Sequence, residues 1–225
     1  MNNPEKPNSF IFDMDGTLIN SMPFHVKSWL LTLEEIGVQL SKEELAQHNQ
    51  GIITEVIRSI MSEQISDSKV NSIATRKESL YRQIYRPHLR LMDGAQEFLA
   101  RSKELGIPLA LATNAGWENI NFVLDELDLR SYFDVVLGEE DILKGKPDPQ
   151  IFLLAAQRLG VPPETCIVFE DSRSGIIAVE RAGMRCIAIT TAMKAAELEK
   201  STAVVRVIDD YTCLQPETIL NNATL

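Results

Sequence analysis

Residues 10–17 read Phe10-Ile11-Phe12-Asp13-Met14-Asp15-Gly16-Thr17: three apolar side chains run unbroken into a cluster holding two aspartates and a glycine. Short continuous apolar runs mark strands covered on both faces, whereas strands with one wet face alternate. Side chains alternate along a strand, so Asp13 and Asp15 leave its end on the same side. Ligands of open α/β sheets bind at the carboxyl ends of strands, and Gly16 permits the tight turn by which the chain leaves the sheet. By itself such an acidic pair is ambiguous. Acidic strand ends are common, and some glycosyltransferases hold a metal with one, so the surrounding sequence has to decide.

Outward from this stretch the same texture recurs. Apolar runs stand at 109–112, 135–137, 167–169 and 187–189, with a weaker sixth at 204–207. Between them lie helical spacings: Ala95, Phe98, Leu99 and Leu105; Ile120, Val123, Leu124 and Leu127; Phe152, Ala155, Ala156 and Leu159. Gly106, Gly160 and Gly183 each fall between a helical segment and the next strand, where a left-handed residue ends a helix. This cadence predicts an α/β fold with a doubly wound parallel sheet covered by helices.

Residues 20–90 break the cadence. No strand-like run appears there, and Phe24, Val26, Trp29, Leu30, Leu33 and Ile36 predict a helix stopped by Gly37. Ser41 and Glu44 form a capping box for a second helix. Val56, Ile57, Ile60 and Met61 predict a third, and Val70, Ile73, Leu80, Ile84 and Tyr85 a fourth, ended by Pro87. The expectation is an α/β core from 1–19 and 91–225 with a small all-helical cap domain at 20–90.

The other strand ends carry matching chemistry. The second predicted strand runs into Thr113-Asn114, just before a helix beginning near Gly116. A hydroxyl, an amide and a positive helix end then share one spot, which suits an anion. Lys146 precedes Pro147-Asp148-Pro149, read as an Asp148 cap with a first-turn proline. The strand at 167–169 empties into Glu170-Asp171-Ser172, and paired carboxylates suit a hard divalent cation. Each has a plainer reading: Lys146 as a solvated loop lysine, Glu170-Asp171 as caps of the next helix. Four such groups at successive strand ends make chance a poor account of the set.

Composition limits the partners. The 225 residues include 22 Lys plus Arg against 32 Asp plus Glu, a formal charge of −10. Phosphate-backbone binding needs clustered cations, so nucleic acid is not an expected partner. No run of 18 or more apolar residues exists, so no membrane span is expected. The polar opening MNNPEKPNSF lacks a signal-peptide core, and Asn222-Ala223-Thr224 is read as a chance glycosylation match. Cys166, Cys186 and Cys213 form no metal-ligand spacing and are read as small apolar side chains in a reducing compartment. A cytoplasmic monomer is the expectation.

The motifs Asp13-Met14-Asp15-Gly16-Thr17, Thr113-Asn114, Lys146 and Glu170-Asp171 resemble the four signatures of the haloacid dehalogenase-like (HAD) hydrolase superfamily, in that order. The likeness spans nearly the whole chain, since the helical insert is similar to that family's small cap. Asn20 to Trp29, with His25, resembles the β-phosphoglucomutase branch and its phosphatase relatives. The resemblance implies Asp13 as a nucleophile that takes the phosphoryl group and Asp15 as acid and base. It implies Thr113, Asn114 and Lys146 as phosphate ligands. Mg²⁺ would be held by Asp13, the Asp15 carbonyl and Asp171, with Glu170 as ligand or support. His25 and Lys77 would be cap residues turned to substrate, against the alternatives of a packed hinge histidine and a solvated lysine. In the mutase an Arg follows the cap-loop glycine by three positions. Here Gly51 is followed by Ile52, Ile53 and Thr54, which favours hydrolysis of a small phosphorylated metabolite, such as a sugar phosphate or pyrophosphate. A β-phosphoglucomutase-type mutase is the alternative. A phospho-receiver module is disfavoured by the second aspartate and the cap, and a dinucleotide enzyme by the lack of GxGxxG after any strand.

Overall fold

In the computed structural model, the described residues are 8–48, 52–61 and 65–221. The readings at Gly51, at 222–224 and over the first seven residues lie outside them. The chain runs β1 (Ser9–Phe12), then helices α1 (Met22–Glu35), α2 (Lys42–His48), α3 (Ile53–Met61) and α4 (Asp67–Tyr85). It continues α5 (Ala95–Glu104), β2 (Leu109–Ala112), α6 (Trp117–Glu126), β3 (Val135–Leu137), α7 (Gln150–Leu159) and β4 (Cys166–Glu170). It closes with α8 (Arg173–Arg181), β5 (Arg185–Ile189), α9 (Ala195–Leu198), β6 (Val204–Ile208) and α10 (Pro216–Leu220). Residues 21–89 form one compact unit, and the chain on either side of them forms the other.

The second unit is the expected doubly wound sheet, with strand order β3-β2-β1-β4-β5-β6 and every pairing parallel. The first strand lies at its centre, Phe10 opposite Leu109 on one side and Ile167 on the other. Strand alternation sorts the two faces. Phe10 and Phe12 pack with Phe98 of α5 and Phe169, the Phe12 and Phe169 rings stacked at 4.5 Å. Ile11 faces the other layer, with Ile151, Phe152, Ile176 and Val179 of α7 and α8. Because the strand order runs outward both ways from β1, the ends of β1 and β4 flank a topological switch point, where such sheets bind ligands. The turn after β1 is fastened to the start of the next segment, the Met92 N–H donating to Leu18 O at 2.8 Å.

The helical unit, 21–89, has its own core of Trp29, Leu33, Leu45, Val56, Ile57, Val70 and Ile73. The capping box forms as read: Glu44 Oε2 accepts the Ser41 N–H at 2.8 Å, and Ser41 Oγ accepts the Glu44 N–H at 3.2 Å. Cys166 and Cys186 are buried free thiols, but Cys213 is exposed, a correction to its reading as an apolar filler. It follows Tyr211 in a surface turn after β6, where no layer covers it. No helix of the described residues is long and apolar enough to cross a membrane.

Candidate active site

Asp13 leaves β1 with its N–H donated to Phe169 O at 3.0 Å, so β4 fixes the backbone from which the carboxylate projects. Lys146 meets that carboxylate from the loop before α7. Its Nζ donates to Asp13 Oδ1 at 2.6 Å and Glu170 Oε1 at 2.8 Å, and lies 4.7 Å from the Phe152 ring centroid. The lysine is 3% exposed, which excludes the solvated-loop reading. Asn114 holds the lysine's backbone, its Oδ1 accepting the Lys146 N–H at 3.1 Å. Asp148 accepts the Gln150 N–H at 3.0 Å. This corrects the capping reading: Pro149, not Asp148, is the N-cap of α7, and Asp148 makes its turn one residue earlier.

Glu170 braces the next loop. Its Oε2 accepts the N–H groups of Asp171 and Ser172 at 2.9 and 2.8 Å and the Ser172 hydroxyl at 3.0 Å. Space is made for it by Gly175, where a Cβ would stand 1.8 Å from Oε1. Asp171 is held by the Thr191 hydroxyl, 2.9 Å from its Oδ2. It rests against Gly16, where a Cβ would come within 2.0 Å of the same oxygen. Gly16 therefore has two reasons to be glycine, the close carboxylate and its φ of +84°.

Three carboxylates, Asp13, Glu170 and Asp171, are thus buried here, and two of them, Asp13 and Glu170, hold the one ammonium. Burial is the largest influence on Asp13. Lys146 opposes it and Glu170 adds to it, and the carboxyl is pushed up to about 7 from an ordinary 3.8. Burial, then Glu170 and Asp13, likewise hold Asp171 well above the carboxylate range. For Lys146 burial works against the charge, but Asp13 and Glu170 outweigh it and raise the ammonium above its ordinary value. A buried excess of negative charge with oxygen donors alone fits a hard cation. Among the described residues no three His, Cys, Asp or Glu side chains converge as a complete metal cage. Such a cation would use one or two carboxylates and fill its shell with water and phosphate oxygens, as Mg²⁺ does.

The remaining donors converge on the neighbouring strand end. Thr113 is buried, its Oγ1 accepting the Ala115 N–H at 3.2 Å, so its own hydrogen remains to be donated. Asn114, accepting through Oδ1, keeps its NH₂ as a donor, and two of the three Lys146 ammonium hydrogens face carboxylates. One expectation is corrected here. The first N–H of α6 is not open to an anion, because the Glu140 carboxylate accepts it at 3.2 Å. Asp15 is half-buried beside this group, in the turn that pairs with Ile19.

His25 and Lys77 lie in the helical unit and meet each other, Lys77 Nζ standing 2.7 Å from His25 Nδ1. Lys77 is 3% exposed, reaches Glu78 Oε1 at 2.8 Å and lies 5.3 Å from the Trp29 ring centroid. The solvated-lysine reading is overturned. The His25 ring stacks on Tyr81 at 3.8 Å, as a packed histidine does. Sequence reasoning missed Thr191, Phe152 and Glu140. Thr191 carried a usable signal, because it follows a predicted strand just as Asp13 and Asp171 do.

An all-parallel sheet with acids and a buried lysine gathered at its central strand ends defines an α/β enzyme. The chain belongs to the haloacid dehalogenase-like hydrolases, whose family model matches residues 10–189. It is 35% identical over 179 residues to a phosphorylated carbohydrates phosphatase of Thermotoga maritima, covering 79% of this chain and 82% of that one. It is 31% identical over 206 residues to the 5-amino-6-(5-phospho-D-ribitylamino)uracil phosphatase of Arabidopsis thaliana, covering 91% of this chain but 55% of that protein. A solved HAD hydrolase of family IA, variant 3, from Entamoeba histolytica superposes with a TM-score of 0.87 at 32% identity, covering 95% of this chain and 98% of that one.

Proposed function

We propose that this protein is a Mg²⁺-dependent phosphatase that hydrolyses the phosphate monoester of a small metabolite, with sugar phosphates as the leading class. The observation that carries the reading is the Lys146 ammonium clasped between Asp13 and Glu170, with the Thr113 and Asn114 donors on the adjacent strand end. The carbohydrate-phosphate relative supports the substrate class, and three free thiols support a cytoplasmic setting.

Asp13 supplies the attacking carboxylate oxygen. Its bond to phosphorus forms as the bond to the ester oxygen breaks, leaving the phosphoryl group on Asp13. Asp15 gives its proton to the departing alkoxide, then takes one from the water that attacks the same phosphorus. The bond to Asp13 breaks and inorganic phosphate leaves. Lys146 favours the ionised form of Asp13 against its burial, and with Thr113 and Asn114 it holds the phosphoryl oxygens. Asp13, Asp171 and the Asp15 carbonyl would hold Mg²⁺, which when bound offsets the repulsion between carboxylate and phosphate. Glu170, engaged by Lys146 and the 171–172 backbone, braces the loop and stands outside the ligand set.

The test is release of inorganic phosphate from a panel of sugar phosphates and pyrophosphate, with and without Mg²⁺. Wild-type protein should release phosphate when Mg²⁺ is present, and Asp13→Asn should lose about a thousandfold or more. Near-native release by that variant would sink the mechanism. Conversion of β-glucose 1-phosphate to glucose 6-phosphate without net release would assign the mutase instead. A long-lived phosphoprotein would point to a receiver.

A further inference from the structure

We propose that Thr191 is a positioning residue for the cation site, setting the Asp171 carboxylate against the turn that follows Asp13. The inference rests on the proposed reading of that centre. Thr191 lies just beyond β5, half-buried, at the same end of the sheet as Asp13 and Asp171. Its hydroxyl reaches two acceptors at once: the main-chain carbonyl of Gly16 and, at 2.9 Å, Asp171 Oδ2. A hydroxyl carries one hydrogen, so whichever acceptor holds it, one side chain from β5 spans the loops leaving β1 and β4.

The geometry around this contact gives it a purpose. Asp171 lies close against Gly16, its Oδ2 filling the space a side chain would take, 2.0 Å from where a Cβ would stand. On its other side the Asp171 N–H is committed to Glu170 Oε2 at 2.9 Å. The backbone of Asp171 is therefore fixed through Glu170, while the direction of its carboxylate is set by Thr191. Gly16 adjoins Asp15, whose carbonyl is the proposed main-chain ligand, so the same hydroxyl also steadies that turn. Mg²⁺ demands near-ideal octahedral geometry and tolerates misaimed ligands poorly. Groups that orient metal ligands typically change affinity by about 10–100-fold when removed.

The experiment titrates Mg²⁺ alone into metal-free wild-type protein, Thr191→Val, Thr191→Ser and Asp171→Asn, without substrate. Affinity is read by calorimetry and by the Mg²⁺ dependence of Tm. Thr191→Val keeps the side-chain shape and deletes the hydroxyl; it should weaken Mg²⁺ binding by about tenfold or more. Thr191→Ser keeps the hydroxyl and should fall well short of that tenfold loss. Equal weakening by valine and serine would overturn the proposal, because the site would then respond to any change at this position and not to the hydroxyl. Wild-type affinity in Thr191→Val, alongside loss of binding in Asp171→Asn, would overturn the role of Thr191 and leave the cation site standing. Wild-type affinity in Asp171→Asn would remove the site itself and the inference with it.

Discussion

Replacing Lys146 with methionine takes the charge from the middle of the carboxylate group while keeping much of the stem. The ammonium is 3% exposed, and the carboxylates at 2.6 and 2.8 Å belong to residues that are 6% and 1% exposed. Removing one partner of a buried ion pair costs roughly 3–5 kcal/mol, and this cation serves two anions, so the upper part of that range is expected in alkaline solution. The pH dependence carries the sharper test. Burial holds the Asp13 carboxyl at about 7 with Lys146 pulling it down; without the lysine it titrates higher still. Between the unfolded value and the folded one, the native state holds a proton that the unfolded chain lacks, so stability falls as pH rises. For wild type that fall ends near pH 7, whereas for Lys146→Met it continues upward. The penalty should therefore grow above neutrality by up to about 1.4 kcal/mol per pH unit, or roughly 2 kcal/mol between about pH 7 and pH 8.5. Urea denaturation of metal-free protein at both pH values measures it. A penalty under about 1 kcal/mol at either pH, or one that shrinks as pH rises, would refute the picture of a lysine neutralising buried acids.

Gly175→Ala separates local propensity from packing. In an open helix the change would gain about 1 kcal/mol. Here the new Cβ would stand 1.8 Å from Glu170 Oε1, so a loss of about 1–3 kcal/mol is expected, and a rise in Tm would contradict the bracing role of Glu170. Asp134 joins Lys103 at 2.8 Å and accepts the Leu109 N–H, which opens β2, at 2.9 Å. Partial burial pushes its carboxyl up, but the Lys103 bond and the Leu109 N–H outweigh that and hold it below its ordinary value. A depressed carboxylate adds stability above its ordinary range and loses it as pH falls. Asp134→Asn should thus cost about 1 kcal/mol at neutral pH, the charge being half exposed and screened. The difference from wild type should fade as pH falls below the ordinary 3.8 in acid denaturation series; a difference that persists in strong acid would show that geometry, not charge, carries the effect.

What could be read from the chain, and what could not, divides along a physical line. Asp13, Asp15, Asp171 and Thr113 were legible because strand ends are local features: an apolar run stops, and the next polar side chain must leave the sheet there. That Lys146 would bridge Asp13 and Glu170 was not legible. It depends on β4 lying beside β1, with 153 residues between Phe12 and Cys166 left to fold elsewhere, and strand order is a global property. Glu140 at the start of α6 is a miss of the same kind, since a carboxylate from the loop after β3 took an N–H that local reading left open for an anion.

Lys77 and Thr191 are different, because the rules that would have placed them were already in hand. Ile73, Lys77 and Tyr81 stand four apart in α4, and helical spacing puts them on one face. The outer two are buried at 2% and 0% exposure. A lysine between two buried neighbours has its stem inside whatever its charge prefers, and it then needs partners, which His25 and Glu78 provide. Periodicity therefore outweighs the solvated-lysine alternative for Lys77. For Thr191, the strand-end argument applies to β5 as fully as to β1. Applied to every strand, that argument adds a hydroxyl to the acids, amide and lysine already gathered at this edge.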